Sequence, residues 1–171
     1  MILSIDPGNI ESAYCLIDKK TYKPIEFGKV ENNELRSIIA RLHREYKELN
    51  ILVIEMIASY GMAVGKEVFD TCVWIGRFDE FFNTYPSNKL CDVEFIYRKE
   101  EKINLCGSMK AKDSNIRQAL IDRFAEHDLK NGKGTKKKPD FFYGFKADIW
   151  AAFAVGVTYL DKVKENERNF N

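Results

Sequence analysis

The stretch Met1-Ile2-Leu3-Ser4-Ile5-Asp6-Pro7-Gly8 decides the reading of this chain. A short apolar run ends in a carboxylate, and a glycine two positions later lets the chain turn back. An acid is thereby set at the open end of a strand, where a metal ion or a phosphate can reach it. Asp-Pro-Gly is also ordinary turn chemistry, so Asp6 could simply cap the turn. Two later segments repeat the theme of an acid in apolar surroundings. Ile51-Leu52-Val53-Ile54-Glu55 reads as a strand buried on both faces that ends in a charge. Lys146-Ala147-Asp148-Ile149-Trp150-Ala151-Ala152 places Asp148 at a helix, where it could also act as a first-turn acid. Burying an unpaired carboxylate is costly, so three such acids call for a shared partner. The economical arrangement brings Asp6, Glu55 and Asp148 together on divalent metal. Mg²⁺ takes oxygen ligands, waters and substrate phosphate oxygens. A pair of such ions roughly 3.5–4 Å apart can activate water and stabilise a leaving oxygen.

Composition bounds the alternatives. The 171 residues suit one domain, 1–171, with its own core. At 45% hydrophobic and 31% charged residues the chain is globular rather than disordered. A net charge of +1 gives no global nucleic-acid signature, so any basic surface is local. Cys15, Cys72, Cys91 and Cys106 form no Cys-x-x-Cys pair, which argues against zinc, and three of them lie in apolar contexts that read as core. No signal peptide or spanning segment is visible, and a reduced cytoplasm is the expected compartment.

The pattern predicts strands over 1–6, 11–18 and 23–30 as an antiparallel meander, then a helix over 33–48 capped by Asn32 or Asn33. A fourth strand over 51–55 and a fifth over 91–97 flank a second helix over 66–85. On that helix Val68, Cys72, Ile75, Phe78 and Phe82 form one stripe, which Trp74 and Phe81 broaden. A turn is expected at 86–89. Another helix over 113–126 turns Ile116, Leu120, Ile121 and Phe124 inward. Residues 129–140 are glycine- and lysine-rich and read as a mobile loop. The last helix, over about 146–165, presents Ala151, Ala152, Val155 and Tyr159.

These features together resemble the RuvC-type Holliday junction resolvases, in particular their shorter phage-borne members. The resemblance covers nearly the whole chain. It is carried by Ser4-Ile5-Asp6-Pro7-Gly8, by Val53-Ile54-Glu55, by Lys112-Asp113-Ser114-Asn115-Ile116-Arg117 and by Asp148-Ile149-Trp150-Ala151-Ala152-Phe153-Ala154-Val155. It implies an α/β, ribonuclease H-like fold: a five-stranded mixed sheet flanked by helices. It implies metal ligation by Asp6, Glu55 and Asp148, and a catalytic Lys112 near the scissile phosphate, with a solvated lysine before a helix as the alternative. Two departures stand out. Where the family usually has an acid or a histidine three residues before the final Asp, this chain has Phe145. Asp140, Lys146 and Asp113 are the nearby candidates to take over. Where the family tends to carry an aromatic wedge after the strand-four Glu, this chain has Ala58, with Tyr60 two residues later, which could stack on a base.

The expected function is a Mg²⁺- or Mn²⁺-dependent endonuclease that cuts branched DNA, four-way junctions above all, leaving a 5′-phosphate and a 3′-hydroxyl as the resemblance implies. Arg98, Lys99, Lys102, Lys110, Arg117 and Lys136 to Lys138 are candidate DNA contacts, and Tyr60 with Met62 a junction-probing pair. A homodimer is expected through the 66–85 helix, with Val73, Trp74, Arg77 or Phe81 in contact; no membrane partner is expected. A phage-borne protein would act in the cytoplasm of a bacterial host. The rival readings are a ribonuclease H of other specificity and a catalytically silent branched-DNA binder. An actin-like or sugar-kinase ATPase shares the Asp-x-Gly loop but needs a second half that 171 residues cannot supply.

Overall fold

The computed structural model describes residues 1–59, 61, 63–85 and 90–169. Three strands, β1 (Ile2–Asp6), β2 (Glu11–Ile17) and β3 (Pro24–Glu31), form the expected antiparallel meander. Helix α1 (Asn32–Glu45) crosses to β4 (Ile51–Met56), which lies parallel to β1. Helix α2 (Lys66–Thr84) then leads to β5 (Asp92–Tyr97), parallel to β4. The sheet order is β3-β2-β1-β4-β5, a five-stranded mixed sheet. Three further helices follow: α3 (Arg98–Cys106), α4 (Asp113–Phe124) and α5 (Ile149–Asn169). The turn expected at 86–89 lies outside the described residues.

Strand alternation sorts the side chains into two cores. Leu3, Ile5, Leu52 and Ile54 face α1 and α2, where they meet Leu35, Ile39, Ile75, Phe78 and Phe82. Ile2, Val53, Cys15 and Ile96 face the other way, toward α4 and α5. The inward stripe of α2 is Thr71, Ile75, Phe78 and Phe82; Cys72 is exposed and Val68 half-buried. Among the four cysteines only Cys15 is buried, so the expectation of three core cysteines is corrected.

Other elements also differ from expectation. Helix α3 has no apolar periodicity to announce it, and its one fully buried residue is Glu101. It is set by local chemistry: Glu100 accepts the Tyr97 N–H at 2.8 Å, and Gly107, at φ 66°, ends it in the left-handed conformation that glycine favours. Helix α5 buries ten residues from Ile149 to Leu160, almost all around its axis, where a single face was expected. One side lies on the sheet, and the other is covered by an aromatic cluster in which Phe145 contacts Phe27, Phe142, Trp150 and Phe153. Each fully buried ring contributes roughly 1.5–3 kcal/mol.

The lysine-rich segment is not structureless. Asp128 accepts the N–H groups of Asn131, Lys133 and Gly134, while Asp140 accepts those of Glu126, His127, Asp128 and Phe141. Burial works to raise the Asp140 pKa, but these four N–H donors outweigh it and hold the carboxyl well below the usual range. Asp140 is thus the scaffold of this loop and is not free to replace the acid missing at Phe145.

Helix α5 sits close on the sheet at Gly156. A Cβ there would fall on Ile17 Cδ1 and lie 2.9 Å from Ser4 Oγ, which is itself held at 3.1 Å from the Cys15 carbonyl. Gly156→Val is expected to cost about 1–3 kcal/mol through overpacking, read as a lower urea midpoint without a change of slope.

Candidate nuclease site

The register of two parallel strands builds the centre. Leu3, Ser4 and Ile5 pair with Leu52, Val53 and Ile54. One step further Asp6 and Glu55 are neighbours, and alternation turns both toward the α5 side. Asp6 does not hold its own turn. Gly8 donates its N–H to Ser12 Oγ at 3.1 Å, Ser12 Oγ lies 2.6 Å from Asn32 Oδ1, and Asn32 Nδ2 donates to the Gly8 carbonyl at 2.9 Å. Asn32, expected as a helix cap, is instead the buried strut of this turn. A Cβ on Gly8 would collide with the Glu11 carbonyl oxygen, so glycine is required there.

With the turn closed by others, the Asp6 carboxyl is free to face Glu55 within side-chain hydrogen-bonding reach. Burial, then Glu55 and Asp148, push the Asp6 pKa up to about 8. Burial likewise raises that of Glu55, against the pull of Arg98. The titration belongs to the pair.

Asp148 precedes α5, and its carbonyl accepts the Ala152 N–H at 3.0 Å. Just before it, Ala147 has φ 35°, a left-handed conformation that alanine seldom adopts. The Asp148 side chain is half exposed and lies 2.8 Å from Lys29 Nζ, a residue that β3 presents at the same end of the sheet. That contact raises the Lys29 pKa. Asp6 and Asp148 therefore border one cleft of about 300 Å³, together with Glu11 and Lys29, while Glu55 stands outside its lining, so the three acids do not close into a cage. Among the described residues no three His, Cys, Asp or Glu side chains stand close enough together to hold a metal.

The donor set nonetheless fits Mg²⁺ or Mn²⁺. Every candidate is an oxygen, and Mg²⁺ is commonly held by one or two carboxylates plus waters and substrate phosphates. Asp6 and Glu55 alone satisfy that. Two half-buried carboxyls set side by side would be relieved of their mutual repulsion by a cation held between them.

Arg98 is placed differently from the expected DNA contact. Its guanidinium turns inward, with Nη1 2.6 Å from Glu101 Oε2 and 3.9 Å from Glu55 Oε2, and Nη2 2.5 Å from Asp113 Oδ1. Burial disfavours its charge, and the three carboxylates more than offset that, so Arg98 is held protonated. Burial and Glu55 push the Glu101 carboxyl up, while Arg98 pulls it back. Glu101 and Lys29 escaped the sequence reading. The one signal for Glu101 was its i,i+3 spacing from Arg98 inside a charged run.

The remaining candidates fall into groups. Lys112 is exposed at the start of α4, next to Asp113, and donates its backbone N–H to Asn115 Oδ1 at 2.9 Å. Arg117 stacks over Trp150 at 4.7 Å and lines a groove of about 470 Å³ with Asp113, Ser114, Lys130 and Asn131. Lys99 and Lys110 are exposed, and Lys102 is half-buried. Lys136, Lys137 and Lys138 are exposed on their turn, whose next residues Pro139 and Asp140 line a cleft with Thr21, Lys23 and Pro24. That is the end of the sheet opposite Asp6, so the base of the lysine turn does not border the acids. Tyr60 and Met62 lie outside the described residues.

The strand order and the placing of the acids invite comparison with solved structures. RuvC of Thermus thermophilus, in complex with Holliday junction substrate, matches with a TM-score of 0.67 over 96% of this chain and 94% of that one. This chain has the RuvC fold. Fowlpox virus resolvase with its substrate Holliday junction DNA follows, with a TM-score of 0.54 over 95% and 99% of the two chains. The yeast mitochondrial Holliday junction resolvase matches at 0.53 over 99% of this chain and 83% of that one. Identities are only 10%, 14% and 14%, so the likeness is one of fold. No family model matches the chain, and no curated protein matches it in sequence.

The raised Asp6 pKa has a consequence for stability. An acid with a higher pKa folded than unfolded costs nothing while protonated in both states, and stability is lost as pH rises from the unfolded value near 4 toward about 8. The metal-free protein is expected to weaken over that window. Asp6→Asn should flatten the slope, raising the urea midpoint at pH 8 and changing it little at pH 4.

Proposed function

We propose that this chain is a divalent-metal-dependent, structure-selective DNA endonuclease whose substrate is a branched duplex, the four-way junction first of all. The observation that carries this reading is the half-buried Asp6–Glu55 pair on adjacent parallel strands, at the open end of a sheet with the RuvC fold. Two of the structural neighbours hold Holliday junction DNA, which supports the choice of substrate. A bound Mg²⁺ or Mn²⁺ would lower the pKa of the attacking water and stabilise charge on the phosphate. Asp6 and Glu55 would hold it, and Asp148 would join them on leaving Lys29.

The chain's own cations would then orient the substrate. Lys112 and the exposed N–H groups at the start of α4 suit a phosphate. Arg117 and Lys130 continue that path along the groove beside Asp113. Lys99, Lys110 and the 136–138 lysines would grip backbone phosphates farther out, without reading shape. Tyr60 would meet the junction centre. No helix among the described residues is long and apolar enough to cross a membrane. The four cysteines are free thiols, which suits the cytoplasm, that of a bacterial host if the protein is phage-borne.

A silent junction-binding protein is the second reading. It is favoured by Phe145, which is wholly buried among aromatic rings and offers no ligand. One experiment separates the two. A labelled four-way junction, a linear duplex and an RNA–DNA hybrid are incubated with the protein and Mg²⁺, Mn²⁺ or EDTA. The junction is expected to be cut only with metal, and the hybrid to survive. Glu55→Gln should lower cleavage by at least about 100-fold, since losing even an outer partner of a metal ligand costs up to that much, and should leave junction binding within a few fold. Binding without cutting by the unaltered protein establishes the silent reading.

Two incisions across a junction call for two equivalent sites, which a two-fold dimer supplies. Helix α2 offers the surface. Phe69 is 60% and Val73 52% exposed, and space is open above Gly76. Arg77 lies over Trp74 at 4.6 Å, and Trp74 and Phe81 are half-buried against their own subunit. Val73→Glu should therefore convert a dimer into a monomer in light scattering while the circular dichroism spectrum stays the same. A wild-type protein that is monomeric at high micromolar concentration, with and without junction DNA, overturns the dimer.

A further inference from the structure

A positive charge already stands inside the acidic centre. The chain passes from β5 straight into α3, so Arg98, the first residue of the helix, folds back over the end of β4. Its fork joins Glu101, Asp113 and, at 3.9 Å, Glu55. These acids come from three different elements, α3, α4 and β4. The Glu101 side chain is completely buried, and its Oε1 has no hydrogen-bond partner among the described residues. A carboxylate left so deep is tolerable because a guanidinium is locked onto its other oxygen.

The remaining acids are already matched with cations. Glu101 and Asp113 belong to Arg98, and Asp148 belongs to Lys29. Among the described residues the Asp6–Glu55 pair has no close cation partner: Arg98 borders it on the Glu55 side at 3.9 Å, farther than the 2.6 and 2.5 Å at which it holds Glu101 and Asp113. Resting on the nuclease reading above, we propose that Arg98 is the second cation of this centre, clamped by Glu101 and Asp113, so that each protomer takes up one divalent ion instead of two. A second dication on the Arg98 side of the pair would have to share Glu55 with a guanidinium whose Nη1 already stands 3.9 Å from its Oε2, and two cations crowded on one carboxylate repel each other in a partly buried site. Arg98 cannot escape by deprotonation, because guanidinium keeps its proton throughout the working range. It offers charge and hydrogen bonds to a phosphate oxygen and transfers no proton. Glu101 is its positioning residue.

The test is a count. Metal-free, full-length protein is titrated with Mn²⁺ to millimolar concentration, and free Mn²⁺ is read by electron paramagnetic resonance. One ion per protomer is expected for the wild type and for Arg98→Lys, which keeps the charge. Arg98→Met frees Glu55, Glu101 and Asp113 and is expected to bind two. In parallel, the logarithm of the junction cleavage rate against the logarithm of subsaturating Mg²⁺ should have a slope near one for the wild type and near two for Arg98→Met. Two ions in the wild type, or one in Arg98→Met, overturns the proposal and leaves the nuclease reading standing. No ion in the wild type overturns both. Should Arg98→Met not fold, the counts for the wild type and Arg98→Lys still decide.

Discussion

Two carboxyl groups at the ends of neighbouring parallel strands, turned to the same side and half sealed from water, cannot both be charged unless something positive stands beside them. Much of the surrounding chain answers that need. The abrupt passage from β5 into α3 brings Arg98 back over Glu55. The Lys29 ammonium reaches Asp148 from β3. The turn after β1 is closed by Ser12 and Asn32 instead of by Asp6. The first two of these arrangements are explained by what they do for charge at one end of the sheet, and on the nuclease reading proposed above a phosphodiester held by a divalent ion would complete the same balance.

How much of this could be read from the chain follows from the range of the interactions involved. Strands and most helices were legible because their signal is periodic and local: alternation along β1 and β4, and the 3.6-residue spacing of Ile116, Leu120 and Ile121 on α4. Asp6 and Glu55 were legible because each ends an apolar run, and register alone then makes them neighbours. Helix α3 was not, because a run of Arg, Lys and Glu with one buried member carries no hydrophobic period. Its charged residues read as a solvated face, and only the folded chain shows that Arg98 and Glu101 point inward.

The segment before α5 went astray for a related reason. Five lysines and two glycines suggested mobility, yet the two acids that order the loop, Asp128 and Asp140, act on backbone N–H groups that no composition count includes. Phe145 is the complement. As a site position it is a gap; as part of the cluster with Phe142, Trp150 and Phe153 it seals the outer face of α5. The chemistry lost at that position is regained as packing, and the charges that tune the acids come from α3 instead.

Gly156 ties these two concerns together. The missing side chain lets backbone, not a rotamer, set how far α5 stands from β1 and β2. Asp148 immediately precedes the same helix, two helical turns from Gly156, roughly 12 Å along the axis at 1.5 Å per residue. The height of that carboxylate above Asp6 is therefore a dimension of the core, gauged at a residue that touches neither acid. A change in the thickness of that one helix-to-sheet contact would move Asp148 relative to Asp6 while both acids stay the same.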